Sequence, residues 1–178
     1  VAVALYFIHN SSHTNSKMLL QEAKQRQTKL LSETIKSFSQ TLYQFSYDNS
    51  YWDDMVVFVK NPNQEWATDN IENAIGNYNI SYVFVFDENF KQKYGFRTSK
   101  NEPMFKSFLN EERLKEKFTQ NWFNDFWAVN KGAISHVFAA PIQPTKDSER
   151  KTEPKGWFII GRTYRSEMLN DIMHLTNS

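Results

Sequence analysis

No cysteine occurs in the 178 residues. That excludes disulfides, thiolate metal ligands and a cysteine nucleophile. Glycine is scarce, with five residues scattered along the chain. Neither GxGxxG nor a Walker motif is present, so no Gly-rich loop cradles a phosphate. A GxSxG nucleophile elbow is missing too. Charge of either sign is not in excess: the net charge is +1. No basic stripe and no run of arginines interleaved with aromatics appears, so nucleic acid is not an expected partner. No signal peptide with a cleavage site is visible. The opening run VAVALYFI is apolar over eight residues, against about 20 needed to span a bilayer.

Aromatics, by contrast, are abundant: 15 Phe, 8 Tyr and 5 Trp. The length suits one domain with a sizeable, aromatic-rich core. The chain opens on Val1, and residues 1–10 read in two ways. They are the outer end of a membrane span, or a buried first strand or helix turn. The polar HNSSHTNSK that follows suits a membrane exit. Residues 11–178 then form a single domain.

From about 16 to 45 one long helix is expected. Leu20, Ala23, Gln27, Leu31, Ile35, Phe38, Leu42 and Phe45 recur at spacings of three and four, uninterrupted by Pro or Gly. At 1.5 Å per residue such a helix is roughly 45 Å long, which suits a spine or a dimer seam. Two short helices follow. Asp48 or Ser50 can cap the first, which presents Trp52, Met55, Val56 and Val59 on one face. Asn61 is the expected cap of the second, with Pro62 at its first position and Gln64 completing a capping box. This helix buries Ala67, Ile71, Ala74 and Ile75 and ends near Gly76.

ISYVFVFD (residues 80–87) reads as a buried strand and KQKYGF as its return. Residues 110–129 read as a helix, capped by Asn110, with Leu114, Phe118, Trp122 and Phe126 as its stripe. Residues 133–142 and 156–164 are two more strands. The polar QPTKDSERKTEP between them reads as an exposed, mobile loop. Residues 166–176 form an exit helix. The core of the domain is thus about 46–165. The expected fold class is α+β: an antiparallel sheet of about four to five strands, helices covering one face, and a long N-terminal helix. This is the general plan of PAS- and Cache-type sensor modules.

The candidate chemistry centres on YWDDMVVFVKNPNQEW. Neighbouring positions on a helix point about 100° apart, so Asp53 and Asp54 cannot both face one bond or one metal. Paired acid–base catalysis is therefore not expected. Asn49, Asn61, Asn63 and Asp69 lie nearby, but without EF-hand spacing. Two alternatives stay open. The acids, Trp52, Trp66 and Asn70 form a polar corner that takes a small cation or amine by cation–π contact and a charge-assisted bond. Otherwise they brace the two short helices. His9 and His13 stand at i, i+4 without a third ligand, as in a solvated linker. His136 sits in a strand. Arg97, Arg162 and Arg165 lie near strand ends, as surface charges or as partners for an anion.

The Trp-Asp-Asp triplet (Trp52, Asp53, Asp54) follows a long helix. A hydrophobic turn comes next, then an aromatic and Asn70 on the following helix, then a strand ending in Asp87. This arrangement resembles the fourth class of CHASE domains, extracytoplasmic sensors of bacterial and archaeal receptors. The resemblance covers Phe38 to Asp87 by motif and the rest by element order. It departs after Asp87, where Glu88-Asn89 replaces the more usual glycine. The resemblance implies a domain between two membrane-spanning helices. It would drive a cytoplasmic histidine kinase, diguanylate cyclase or phosphodiesterase, often through a HAMP linker.

The resulting expectation is a non-enzymatic sensor on the periplasmic side of the bacterial inner membrane. It acts as a homodimer, needs no cofactor or metal, and answers an unknown small molecule. The ligand is expected between the sheet and the short helices, lined by Tyr82, Phe84, Trp122 or Phe138, with the Trp52–Asp54 motif, Trp66 and Asn70 at its border. The rival readings are a ligand-free dimerisation and spacing module, and a periplasmic binding protein or enzyme.

Overall fold

The computed structural model describes residues 2–100, 102, 111–130 and 133–165, with side chains from residue 17 onward except at 111, 113 and 130. The chain divides into two compact units, and the sensor core is the unit Phe38–Ser166. Helix α1 spans Ala2–Ser50, longer at both ends than its periodicity indicated. The backbone of Ala2–Ile8 is helical, not a strand. Along the apolar stripe, Leu20 is exposed, whereas Leu42 and Phe45 are buried. The stripe is therefore core only at its C-terminal end. Asp48 and Ser50 lie inside α1 rather than capping the next helix: Asp48 accepts from Gln44 Nε2, and the Ser50 hydroxyl donates to the Tyr47 carbonyl.

Helix α2 (Asp53–Lys60) starts after Trp52, which makes no side-chain cap. Helix α3 (Gln64–Ala67) is capped by Asn63, not Asn61: the Trp66 N–H donates to Asn63 Oδ1 at 2.9 Å. A π-helical turn, Thr68–Glu72, joins α3 to α4 (Asn73–Asn77). The left-handed residue beyond α4 is Asn79, at φ 52°, rather than Gly76. Asparagine tolerates that region.

Five antiparallel strands form one sheet: β1 (Tyr82–Asp87), β2 (Gln92–Arg97), β3 (Asn124–Asn130), β4 (Ala133–Pro141) and β5 (Gly156–Tyr164), in the order β2-β1-β5-β4-β3. The α+β class and the long N-terminal helix stand. Helix α5, however, runs only Glu111–Gln120. The residues expected to continue it become β3. The Asn121 N–H closes the helix on the Lys117 carbonyl, and the Asn124 side chain donates to the Asn121 carbonyl. Phe126, Trp127 and Val129 suit a pleated surface, and pairing with β4 overrides the four-residue spacing that extended the stripe. Asn110 and the exit helix lie outside the described residues.

Helices cover both faces of the sheet, not one. Val83, Val85, Phe138, Phe158 and Ile160 pack with Leu42, Met55, Phe58, Val59, Ile71 and Ile75. Tyr82, Phe84, Phe86, Val137, Trp157 and Ile159 pack with Leu114 and Phe118 of α5. Coverage on both sides explains why β1 is a continuous apolar run instead of an alternating one. The β4–β5 loop is also anchored, against expectation. Gln143 and Arg150 are buried within it, and it is tied to α1 and α2 by bonds described below.

Candidate functional site

The two aspartates of the triplet do different things. Both complement the positive end of α2. Asp53 Oδ1 accepts the Thr145 N–H of the β4–β5 loop at 3.0 Å. Tyr51 donates its hydroxyl to the Thr145 carbonyl, and Tyr51 bridges Gln143 in parallel. Asp53 is thus a brace between α2 and the loop. Asp54, one helical step round, instead lines a surface groove of about 470 Å³ between α2 and the α3–π turn.

Trp66 and Phe58 form the groove's apolar wall, their rings 4.7 Å apart and near parallel. Trp52 contacts Trp66 at 5.2 Å but is not part of the lining. Three carboxylates, Asp54, Glu65 and Asp69, border the groove with asparagine amides, and among the described residues no basic side chain does. Among the described residues, no three His, Asp or Glu side chains converge closely enough to hold a metal ion. The groove therefore presents negative charge and an indole face without a metal cage.

Asp69 and Asn70 sit on the π turn. The Asn70 side-chain amide donates to the Trp66 carbonyl at 2.9 Å and so ties the turn to α3. Single π turns recur at functional sites because they re-aim side chains without ending the helix. The turn is held from behind: Gln64 Nε2 donates to Glu72 at 2.8 Å, and Tyr94 of β2 donates its hydroxyl to the same carboxylate.

Of the nine expected site residues, Asp54, Trp66 and Asn70 meet at this groove, with Trp52 behind Trp66 and Asp53 turned to the loop. The other four do not share one surface. Tyr82, Phe84 and Trp122 belong to the α5 side of the sheet, and Phe138 to the other. They cannot together line one pocket between sheet and short helices. Asn61, Asn63, Glu65 and Asp69 complete the groove; their clustering in sequence was the available signal. Arg162 is buried and donates from Nε to the Asn79 carbonyl at 2.9 Å and from Nη2 to that of Tyr78, closing the end of α4. Arg97 donates to the Glu102 carbonyl, and Arg165 pairs with its carboxylate at 2.9 Å.

His136 Nε2 bonds to Asp125, and its Nδ1 lies 3.1 Å from Ser39 Oγ. A carboxylate only accepts, so Nε2 carries a proton toward Asp125, while Nδ1 lies within hydrogen-bonding distance of the Ser39 hydroxyl. The relay links β3, β4 and α1.

The core is a braced α+β domain that bears an open, negatively charged groove. The chain belongs to the CHASE4 domain family: residues 34–178 match it. No curated protein matches the chain. CHASE domains are extracytoplasmic sensor modules of membrane receptors, and this chain has that sensory role. Among the described residues, no helix is long and apolar enough to cross a membrane.

Proposed function

We propose that this domain senses a small organic cation in the groove between α2 and the π turn, on the periplasmic side of a bacterial inner membrane, as part of a homodimeric receptor. The carrying observation is the convergence of Asp54, Asp69 and Trp66 on one open surface without a basic side chain. An amine or quaternary ammonium group gains a charge-assisted bond from the carboxylates and cation–π attraction from the indole. Occupancy shifts the output only by binding one arrangement of the helices more tightly than another. A kinase, diguanylate cyclase or phosphodiesterase is the proposed output class.

The test is a thermal-shift series with choline, ethanolamine and spermidine against wild type and Asp54→Ala. At about 100 times its dissociation constant a ligand adds about 2.7 kcal/mol, or roughly 5–10 °C. The expected result is a shift with at least one cation that Asp54→Ala loses. A shift that Asp54→Ala retains removes the groove as the site. No shift with any cation overturns the organic-cation reading and favours the spacing module.

A further inference from the structure

A second pocket, of about 210 Å³, lies between the last turns of α1 and the β3–β4 hairpin. It shares no residue with the groove. Its walls are aromatic: Tyr43 and Tyr47 of α1, Phe123 ahead of β3, and Phe138 of β4. Three polar side chains interrupt them: Asn124, which donates to the Asn121 carbonyl, and two that bear on a ligand. Ser46 is 2% exposed, and its hydroxyl has no hydrogen-bond partner. Ser50, one turn on, shows the usual solution by donating to the Tyr47 carbonyl at 3.0 Å. A buried hydroxyl left unpaired is costly, so Ser46 is a group awaiting a partner. The other is Asp125, whose carboxylate has more acceptor positions than His136 uses. Among the described residues no basic side chain lines the pocket, and the Arg150 guanidinium lies 4.7 and 4.9 Å from the Tyr47 and Phe123 ring centroids.

We propose that this pocket is a second ligand site, for a single-ring aromatic amine. An apolar cavity of about 150 Å³ already admits benzene, so this one has room for a ring with a short polar arm. The ring packs among Tyr43, Tyr47, Phe123 and Phe138 in the offset or edge contacts that aromatics favour. The ammonium group donates to Asp125, and Ser46 supplies a hydrogen-bonding hydroxyl. The site also meets α1 twice. Ser46 touches the occupant directly, and Ser39, two turns earlier on the same helix, is joined to Asp125 through His136. An occupant that pulls on Asp125 therefore loads the helix at both positions.

Calorimetric titration of the chain with 2-phenylethylamine tests this, using Asp125→Asn, Ser46→Ala, Ala140→Leu and Asp54→Ala. Saturable binding is expected in wild type and in Asp54→Ala. Asp125→Asn should weaken it about tenfold. Ala140→Leu, which fills the pocket, should abolish it. Ser46→Ala should weaken binding while raising Tm, because it deletes an unpaired buried hydroxyl; a purely structural serine would not move the two in opposite directions. Absence of saturable binding at millimolar amine overturns the proposal. So does binding that Asp54→Ala loses, which assigns the amine to the groove. Should Ala140→Leu not fold, the Phe123 and Phe138 ring-proton shifts of wild type decide: ring protons that do not move on titration overturn it.

Discussion

The Arg150 guanidinium donates to the Ser50 hydroxyl at 3.0 Å, joining residues one hundred positions apart. Its Nε donates to Gln143 at 2.9 Å, Nη1 to the Tyr47 carbonyl at 3.2 Å and Nη2 to the Pro141 carbonyl. Tyr47, Tyr51 and Phe123 surround it at 4.7–5.0 Å from their ring centroids. Burial, first of all, holds its pKa below the usual arginine value, partly offset by the neighbouring tyrosines. The residue is 7% exposed and left-handed, at φ 51°. It locks the end of α1 and Tyr51 to β4 and the β4–β5 loop.

Replacing Arg150 by alanine takes one donor from each of four acceptors, of which the Tyr47 carbonyl keeps the Ser50 hydroxyl, and empties a space among three rings. The expected loss is about 3–5 kcal/mol, read from the midpoint of urea unfolding. Arg150→Lys should recover little, because an ammonium cannot reproduce the planar fork or its stacking. A loss within about 0.5 kcal/mol for Arg150→Ala would mean the knot contributes nothing net.

A second interdependence crosses the sheet. Tyr82 of β1 is paired with Gly161 of β5, and a Cβ at Gly161 would land on Cζ, Cε2 and the hydroxyl of the Tyr82 ring. Gly161→Ala should cost about 3 kcal/mol or more. Leucine lacks those three atoms, so the same change in a Tyr82→Leu background should cost at least about 1 kcal/mol less. Additive losses in a double-mutant cycle would refute the close approach.

What was legible in the sequence had short-range causes. Tyr82–Asp87 is a strand because five of its residues are apolar and β-branched or aromatic. Gly156–Tyr164 followed for the same reason. The spacing of Asp53 and Asp54 on one helix turn also foretold that they would part company. The misreadings had long-range causes. Phe126 carried on the four-residue spacing of Leu114 and Phe118, and only its pairing opposite Val137 makes it a strand residue. Arg150 sat in a polar, proline-flanked run, and the groups that bury it lie in α1 and next to β3. Likewise, Tyr82 and Phe138 look alike in sequence, yet register sends them to opposite faces. Asp69 was readable as a nearby oxygen but not as part of a groove, because the π turn that presents it has no sequence signature.

The two acids of the motif should separate cleanly by measurement. Asp53→Ala removes both the Thr145 N–H acceptor and a charge favourable to α2. It should cost about 1 kcal/mol without touching ligand response. Asp54→Ala loses only the helix-end charge, so its cost should stay within about 0.5 kcal/mol, while any groove ligand is lost. Equal destabilisation by both changes, with response retained in both, would make the whole triplet structural.

The pH dependence of stability should have a limb that belongs to the β4–β5 loop. The Thr152 hydroxyl, then the Thr152 and Lys151 backbone N–H groups, hold the Asp147 carboxyl below its usual value. A carboxyl that is more acidic in the folded chain stabilises it fully above the unfolded pKa, about 3.9, and the contribution disappears as pH falls through the folded value. Tyr94 acts at the other end. Burial first, then its bond to the Glu72 carboxylate, raises its phenol well above the ordinary range. Its contribution is complete below about pH 10 and is lost as pH rises toward the folded value. Urea midpoints measured across pH should therefore show Asp147→Asn flattening the acid limb alone, and Tyr94→Phe the alkaline limb alone. If Asp147→Asn instead lowered stability by the same amount at every pH, its bonds to Thr152 would not depend on the carboxylate charge, and the loop would be held by shape and by Arg150.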